Sequence, residues 1–290
     1  MRVVDTIVEL RNELAAARRG GATVGLVPTM GYLHEGHATL IRRAAAECGF
    51  VVMTSFVNPL QFGAGEDLDA YPRDPEGDEA VAAGAGADVV FRPTVDEMYP
   101  RPMLTTVSVA GLPTVMEGAS RPTHFDGVTT VVAKLFSMVG ECDAYFGEKD
   151  FQQLAVVRRM VADLSMPVRI VACPTSREPD GLARSSRNAY LTPEERVAAP
   201  VLQRALRTGA AAIVAGETDA GVVRRLMADV VGAEPLAALD YVEVADPDTL
   251  EPLDDCDATA RLFGAVRFGR ARLIDNIAVD GTAPVPEEVR

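Results

Sequence analysis

"PTMGYLHEGHATL", residues 28–40, follows the apolar run "ATVGLV" (22–27). It leads into a segment where Leu40, Ile41, Ala44, Ala45 and Cys48 recur at helical spacing. A short unbroken apolar run ended by Pro and Gly is the pattern of a buried parallel strand. The period that follows, with Arg42, Arg43 and Glu47 on the other face, is that of a helix packed on one side. The stretch is therefore a strand-to-helix turn, and it holds two of the chain's three histidines, His34 and His37, with Gly31 and Gly36 among them. Glycines let backbone approach a ligand closely. A helix start offers unbonded N–H groups and partial positive charge, both favourable to phosphate, and imidazoles there add hydrogen-bond donors. Zinc is a poor alternative, since H-E-x-x-H sets its histidines four apart on a helix. Here they are three apart, with a glycine between and no cysteine nearby. Taken without its surroundings, the pair is as readily two surface histidines at a helix start.

Outward from this turn the chain alternates strands and helices. "FVVMTSFV" (50–57) and "ADVVF" (87–91) read as buried strands, and "TTVSVAG" (105–111) alternates like an exposed one. Residues 127–139 read as a helix, "DAYFG" (143–147) as a strand, the segment from Phe151 as a helix, and "VRIVAC" (168–173) as a strand. Such alternation predicts a parallel sheet covered on both faces, binding ligands beyond the carboxyl ends of its strands. After about residue 175 the character changes. Thr192, Pro193 and Glu195 make a helix-start signature, Ala-rich helices follow to about 233, and two strand segments close the chain, the second a hairpin about Gly269. The expectation is a domain of residues 1–175 and a smaller α+β domain of 176–290.

Composition limits what such a chain does. With 42 acidic against 28 basic residues the net charge is −14, which repels phosphate backbones and argues against nucleic acid and anionic membrane as partners. The four cysteines lie far apart with no C-x-x-C pair, so neither a zinc framework nor a disulfide scaffold is expected. The N-terminal residues lack the apolar core of a signal peptide, and no window approaches 18 uncharged apolar residues. A cytoplasmic protein is expected.

Four further segments carry candidate chemistry. "FGEKDFQQ" (146–153) ends a strand, so Lys149 could meet phosphate, Asp150 ribose hydroxyls, and Gln152 and Gln153 a polar substrate; a solvated charged turn is the plainer reading of such a run. "SREPDGLARSSRNAYL" (176–191) suits a mobile clamp on phosphates, with Arg187 forking onto oxygens. "FVNPLQF" (56–62) places Asn58 and Gln61 just after a strand, and "SRPTHFDGV" (120–128) holds Arg121 and His124. All three histidines thus fall in polar, Gly- or Pro-bearing junctions.

At this point the chain resembles the pantothenate synthetase (pantoate–β-alanine ligase) family of the nucleotidylyltransferase superfamily. "VPTMGYLHEGH", "FVNPLQF", "DLDAYPR", "RPTHFDGV", "FGEKDFQQL" and "GLARSSRNAYL" occur in the family's order across residues 27–191. The resemblance implies an α/β, Rossmann-like nucleotidylyltransferase domain with a C-terminal α+β lid. It implies a cytoplasmic homodimer that makes pantothenate from D-pantoate, β-alanine and ATP, with Mg2+ and a pantoyl adenylate intermediate. ATP would be held by Pro28, Thr29, Met30, Gly31, Tyr32, Leu33, His34, Glu35, Gly36 and His37, and by Gly147, Glu148, Lys149 and Asp150. Ser176, Arg184, Ser185, Ser186 and Arg187 would complete its site. His37, His34, Lys149 and Arg187 would be catalytic, with His37 the proton donor, and Gln61, Gln153, Asn58, Arg121 and Tyr71 would bind pantoate or β-alanine. Two positions depart from the family's pattern: Arg184 stands where an apolar residue, usually Met, is common, and Gly77 stands beside Asp78 where adjacent acids are linked with magnesium. Asp78 is thus the one candidate for a protein-held metal, Mg2+ otherwise riding on the ATP phosphates. Two rivals are another adenylyl-transferring enzyme with a different acceptor, opposed by Gln61 and Gln153, and a silent scaffold, opposed by intact His34, His37, Lys149 and Arg187.

Overall fold

The computed structural model describes residues 1–279. The chain divides into two compact units, one of residues 1–148 and 152–173, the other of residues 149–151 and 174 onward.

The first unit runs β1 (Arg2–Val4), α1 (Ile7–Arg19), β2 (Val24–Thr29), α2 (Glu35–Glu47), β3 (Phe50–Ser55), α3 (Pro75–Ala85), β4 (Val89–Phe91), α4 (Val95–Met98), α5 (Met116–Ser120), α6 (His124–Val139), β5 (Cys142–Gly147), α7 (Phe151–Asp163, all but its first residue) and β6 (Val168–Cys173). Its six strands form a sheet in the order β1-β4-β3-β2-β5-β6, and every pairing is parallel. The chain builds outward from β2 through β3 and β4, then returns to open the other side, where β5 pairs with β2 through Gly25↔Asp143 and Leu26↔Ala144. The strand order therefore reverses between β2 and β5. Open α/β sheets bind ligands at such a switch point, beyond the carboxyl ends, and the opening stretch lies there.

The apolar run of β2 is continuous because the strand is covered on both faces; Leu26 and Val27 are fully buried. Ile41 and Ala44 of α2 pack with Val27, Val51, Met53 and Tyr145 in one cluster, burial worth roughly 2 kcal/mol for a side chain the size of Ile41. A Cβ on Gly25 would lie 3.2 Å from both Ala44 Cβ and Cys48 Sγ, so this glycine sets how closely α2 approaches the sheet.

Two differences from the sequence reading stand out. Residues 105–111 are not a strand. The Val107 N–H donates to Thr130 Oγ1 at 3.0 Å, and its carbonyl accepts from Thr129 Oγ1. Hydroxyls of α6 thus take the part of a neighbouring strand, and alternation alone cannot tell the two partners apart. The edge strand β1 is unanticipated, being too short at three residues to show any period.

The second unit contains α8 (Pro193–Ala198), α9 (Val201–Val214) and α10 (Ala220–Gly232), then β7 (Ala238–Ala245), β8 (Arg261–Phe268) and β9 (Ala271–Ala278). The strands make an antiparallel sheet in that order. The Thr192 cap forms as expected, its hydroxyl accepting the Glu195 N–H while Glu195 reaches back to the Thr192 N–H. Phe268 pairs with Ala271, so the hairpin turns on Gly269 and Arg270, and Gly269 takes the positive φ that this tight reversal requires. Leu202, Leu206, Met227, Leu262, Val266 and Phe268 form a core separate from that of the first unit. A Rossmann-like parallel α/β unit with a small antiparallel α+β unit is the fold class the alternation predicts.

Candidate active site

The turn after β2 is held from below before it holds anything itself. Thr29 Oγ1 donates to the Thr54 carbonyl at 2.6 Å and accepts the Gly31 N–H at 3.1 Å. Gly31 (φ +80°) and Tyr32 (φ +51°) both adopt left-handed backbone. That conformation points successive N–H groups the same way, a concavity suited to an anion, and the anion is internal. Asp78, on the first turn of α3, accepts the Tyr32 N–H at 3.1 Å and the Leu33 N–H at 2.6 Å, with Ser55 Oγ 3.3 Å away. A Cβ on Gly31 would stand 2.7 Å from both Asp78 Oδ2 and Ser55 Oγ, so only glycine fits. Burial raises the Asp78 carboxyl above its usual value, while the two backbone N–H groups and Ser55 pull the other way.

His34 is the N-cap of α2. Its Nδ1 accepts the Gly36 N–H at 3.1 Å, and its own N–H donates to His37 Nδ1 at 3.3 Å. The two imidazoles thus do what Ser and Glu do in an ordinary capping box. The rings lie with centroids 4.1 Å apart. Because each Nδ1 accepts from a backbone N–H, the ring proton sits on Nε2. Both rings therefore carry their donor at Nε2, at the N-terminal end of α2. Glu35 is exposed and paired with Arg42.

Beyond β3, Asn58 is buried and caps a short 3-10 turn over Pro59–Gln61. Asn58 Nδ2 donates to Gln61 Oε1 and to the Gly127 carbonyl, both at 3.1 Å, and Asn58 Oδ1 accepts from Tyr99 Oη at 2.8 Å. Gln61 Nε2 lies 3.0 Å from Met30 Sδ, so the turn after β2 meets the turn after β3 here. The Gln61 carbonyl accepts from Arg121 at 3.2 Å and from His124 Nδ1 at 2.9 Å. Arg121 also forks onto Glu66 at 2.6 and 2.7 Å, holding that carboxyl below its usual value. Burial, then the Arg121 charge, pushes His124 down to about 4. Tyr71 is buried with its ring edge-on to Phe62.

The structure separates the adjacent glutamines. Gln152 is saturated by protein: its Nε2 donates to the Leu112 and Val115 carbonyls at 2.9 Å, and its Oε1 accepts the Glu117 N–H at 3.0 Å. It therefore pins a loop and offers nothing to a substrate, whereas Gln153, one position on, is half-buried. Gly147 ends β5 and Glu148 is buried in the first unit.

Lys149 and Asp150 belong to the second unit. Lys149 Nζ is 3.3 Å from Asp150 Oδ1, and its carbonyl accepts from Asn276 Nδ2 at 2.9 Å. The segment from Ser176 to Arg184 doubles back on itself, with the Arg184 N–H on the Ser176 carbonyl and Arg177 paired with Ala183. Arg177 forks onto buried Asp275 of β9 at 2.6 and 3.0 Å. Arg184 pairs with Glu178 at 2.9 Å, so its charge already has a partner within the loop. Ser185 caps the 3-10 turn Ser186–Tyr190 by accepting the Arg187 N–H at 3.3 Å.

Among the described residues no three His, Cys, Asp or Glu side chains form a metal-binding group. Asp78, the one candidate, is engaged by backbone. Sequence reasoning missed the part played by Ser55, Thr54, Glu66 and Tyr99. Each acts across 23 residues or more of chain in the contacts described, a separation at which no local pattern betrays it.

A family model described as Pantoate-beta-alanine ligase matches residues 2–278. Among curated proteins, the chain is 54% identical over 280 residues to the pantothenate synthetase of Moorella thermoacetica, covering 97% of this chain and 99% of that one. It is 52% identical over 277 residues to that of Sinorhizobium medicae, covering 95% of each. Among solved structures, the pantothenate synthetase of Thermus thermophilus superposes with a TM-score of 0.91 at 52% identity, covering 96% of this chain and 99% of that chain. The pantoate-beta-alanine ligase of Francisella tularensis, solved in complex with beta-gamma ATP and β-alanine, has a TM-score of 0.79 at 31% identity and covers 98% and 99%.

Proposed function

The chain belongs to the pantoate-beta-alanine ligase family, and from that premise we propose how its residues divide the work of the reaction. The enzyme is an ATP-dependent ligase that condenses D-pantoate with β-alanine, giving pantothenate, AMP and pyrophosphate through a pantoyl adenylate. Two bond exchanges make up this chemistry. A pantoate carboxylate oxygen attacks the α-phosphorus, and the bond to the bridging oxygen breaks as pyrophosphate leaves. The amine of β-alanine then attacks the acyl carbon of the adenylate, and the carbon–oxygen bond breaks as AMP leaves with the phosphate oxygen. Neither step needs a protein nucleophile; both need positioning and neutralisation of charge.

The observation that carries the assignment is the reciprocal cap of His34 and His37 at the start of α2. It commits both Nε2 protons to donation, on a rigid turn at the switch point of the sheet. We assign these donors to phosphate oxygens of ATP, His37 serving the charge that develops on the leaving pyrophosphate. Met30 to Gly36 form the nucleotide's cradle. We assign Lys149, Ser185, Ser186 and Arg187 to the triphosphate and Asp150 to the ribose. Gln61 and Gln153 take pantoate, and Asn58, Arg121 and Tyr71 shape that pocket. With Asp78 satisfied by backbone, magnesium enters as MgATP, a part of the substrate. The reading extends to a cytoplasmic homodimer; all four cysteines are free thiols, in keeping with a reducing compartment.

Pyrophosphate release from MgATP with D-pantoate, first without and then with β-alanine, tests this division. The expected result is a single-turnover burst with pantoate alone that becomes steady turnover when β-alanine is added. His37→Ala should shrink the burst rate by roughly 10²–10³-fold with the fold intact. A variant of normal circular dichroism that keeps the full burst rate removes His37 from the chemistry.

A further inference from the structure

An amide side chain presents an acceptor at one end and donors at the other, and which end faces a ligand decides what that ligand must offer. At Asn58 the choice is settled by partners of one kind only. The Gly127 carbonyl cannot donate, so the end facing it at 3.1 Å is Nδ2. The Leu60 N–H cannot accept, so the end facing it at 3.3 Å is Oδ1. Asn58 is 1% exposed, leaving no water to satisfy a reversed amide. Nδ2 of Asn58 then meets the side chain of Gln61, which must present Oε1 to it at 3.1 Å. The donor end of Gln61, Nε2, is turned the other way, against Met30 Sδ, a weak acceptor that an oxygen can replace. The backbone of Gln61 is pinned as well, its carbonyl taking two donors.

The shortest bond in this chain of contacts comes from Tyr99, whose Oη donates to Asn58 Oδ1 at 2.8 Å. Tyr99 sits at the C-terminal end of α4, its ring edge-on to Phe56 at 6.0 Å and under the Lys134 ammonium of α6 at 5.5 Å. It is 41 residues from Asn58 in the chain. Burial holds the phenol well above its ordinary value, so the hydroxyl remains protonated at any working pH.

We propose that Tyr99 is a positioning residue for the acid substrate: through Asn58 it holds Gln61 with its N–H end toward the site, so that this position accepts a hydroxyl or carboxylate oxygen and rejects a donor. The proposal rests on the assignment of Gln61 to pantoate made above. Without Tyr99 Oη, Asn58 Oδ1 keeps only the longer bond to Leu60, and the amide pair gains freedom to rock or reverse.

A double-mutant cycle with Tyr99→Phe and Gln61→Ala, reading KM for pantoate, KM for ATP and kcat, tests it. Gln61→Ala should raise the pantoate KM about 10–100-fold, the usual loss of one hydrogen bond to a charged group. Tyr99→Phe should raise it by about 3–10-fold, with ATP KM and kcat within about twofold, and the double variant should resemble Gln61→Ala alone. A Tyr99→Phe effect that adds in full on top of Gln61→Ala overturns the relay while leaving Gln61 in the pantoate site. Equal rises in both KM values with a lowered melting temperature also overturn it, as a loss of general structure. If Gln61→Ala itself leaves the pantoate KM unchanged, the assignment of Gln61 fails, and the relay with it.

Discussion

Asp78 and His34 show how a residue's chemistry is decided by what its neighbours already take. A carboxylate after "YPR" offers itself as a magnesium ligand, yet here it accepts the N–H groups of Tyr32 and Leu33 and stabilises a turn that contains a positive φ at a non-glycine residue. Replacing it by Asn sets an amide donor against one of those N–H groups. Asp78→Asn should cost about 1–3 kcal/mol of stability. It should also raise the ATP KM more than the pantoate KM, which chemical denaturation and steady-state kinetics measure together. An unchanged ATP KM would mean that the turn does not depend on this carboxylate. Lys149→Ala belongs to the same scale. It should slow adenylate formation but spare the second step when preformed pantoyl adenylate is supplied, and equal damage to both steps would contradict a phosphate role.

The start of α6 carries more of the site than its sequence suggests. Gly127 lies so close to the turn after β3 that a Cβ would stand 2.3 Å from the Leu60 carbonyl oxygen and 2.5 Å from the Gln61 nitrogen. Both are backbone atoms and cannot swing aside. Gly127→Ala should therefore destabilise by about 1–3 kcal/mol and weaken pantoate more than ATP, as isothermal titration would read. His124, on the same turn of the helix, titrates at about 4 in the fold against an ordinary value near 6.5. Between those values the unfolded chain binds the extra proton and the folded one does not. Stability should thus rise with pH from about 4 to 6.5 and be lost as pH falls through that window, by on the order of 2 kcal/mol once its partial exposure is allowed for. His124→Asn should flatten this slope in urea melts taken across the window. At the start of α8, Thr192→Ala should cost about 1 kcal/mol through its cap and leave kinetics untouched.

At the scale of the molecule, each unit has its own buried core. Leu206 is fully buried among α9, α10 and the antiparallel sheet. Leu206→Ala should remove about 2–5 kcal/mol and expose residues 193–279 to limited proteolysis while fragments from residues 1–148 stay protected, as mass spectrometry of the digest would show. Simultaneous loss of protection in both would mean that the two cores unfold as one cooperative unit. The net charge of −14 belongs to this scale too. An anionic nucleotide meets a repulsive overall field, so a favourable potential for it must be made locally.

Local order was legible wherever one period or one cap decides a structure. The unbroken run of β2, the helical period of α2, the Thr192–Glu195 cap and the Gly269 hairpin all depend on residues within a few positions of one another, and so does the placing of His34 and His37 at a strand-to-helix turn. Residues 105–111 mark the limit: their alternation is real, but the partner that answers it is a pair of hydroxyls on α6 and not a strand. The same limit hides Asp78 beneath Gly31, the capture of Gln152 by the 112–117 loop, and the reach of Tyr99 to Asn58. Which amide is spent on the backbone follows from contacts between segments tens of residues apart. The chain's own order determined most of its elements, its strand-to-helix turn and its family; only packing decided which polar groups were already satisfied, because a hydrogen bond is fixed by neighbours in space.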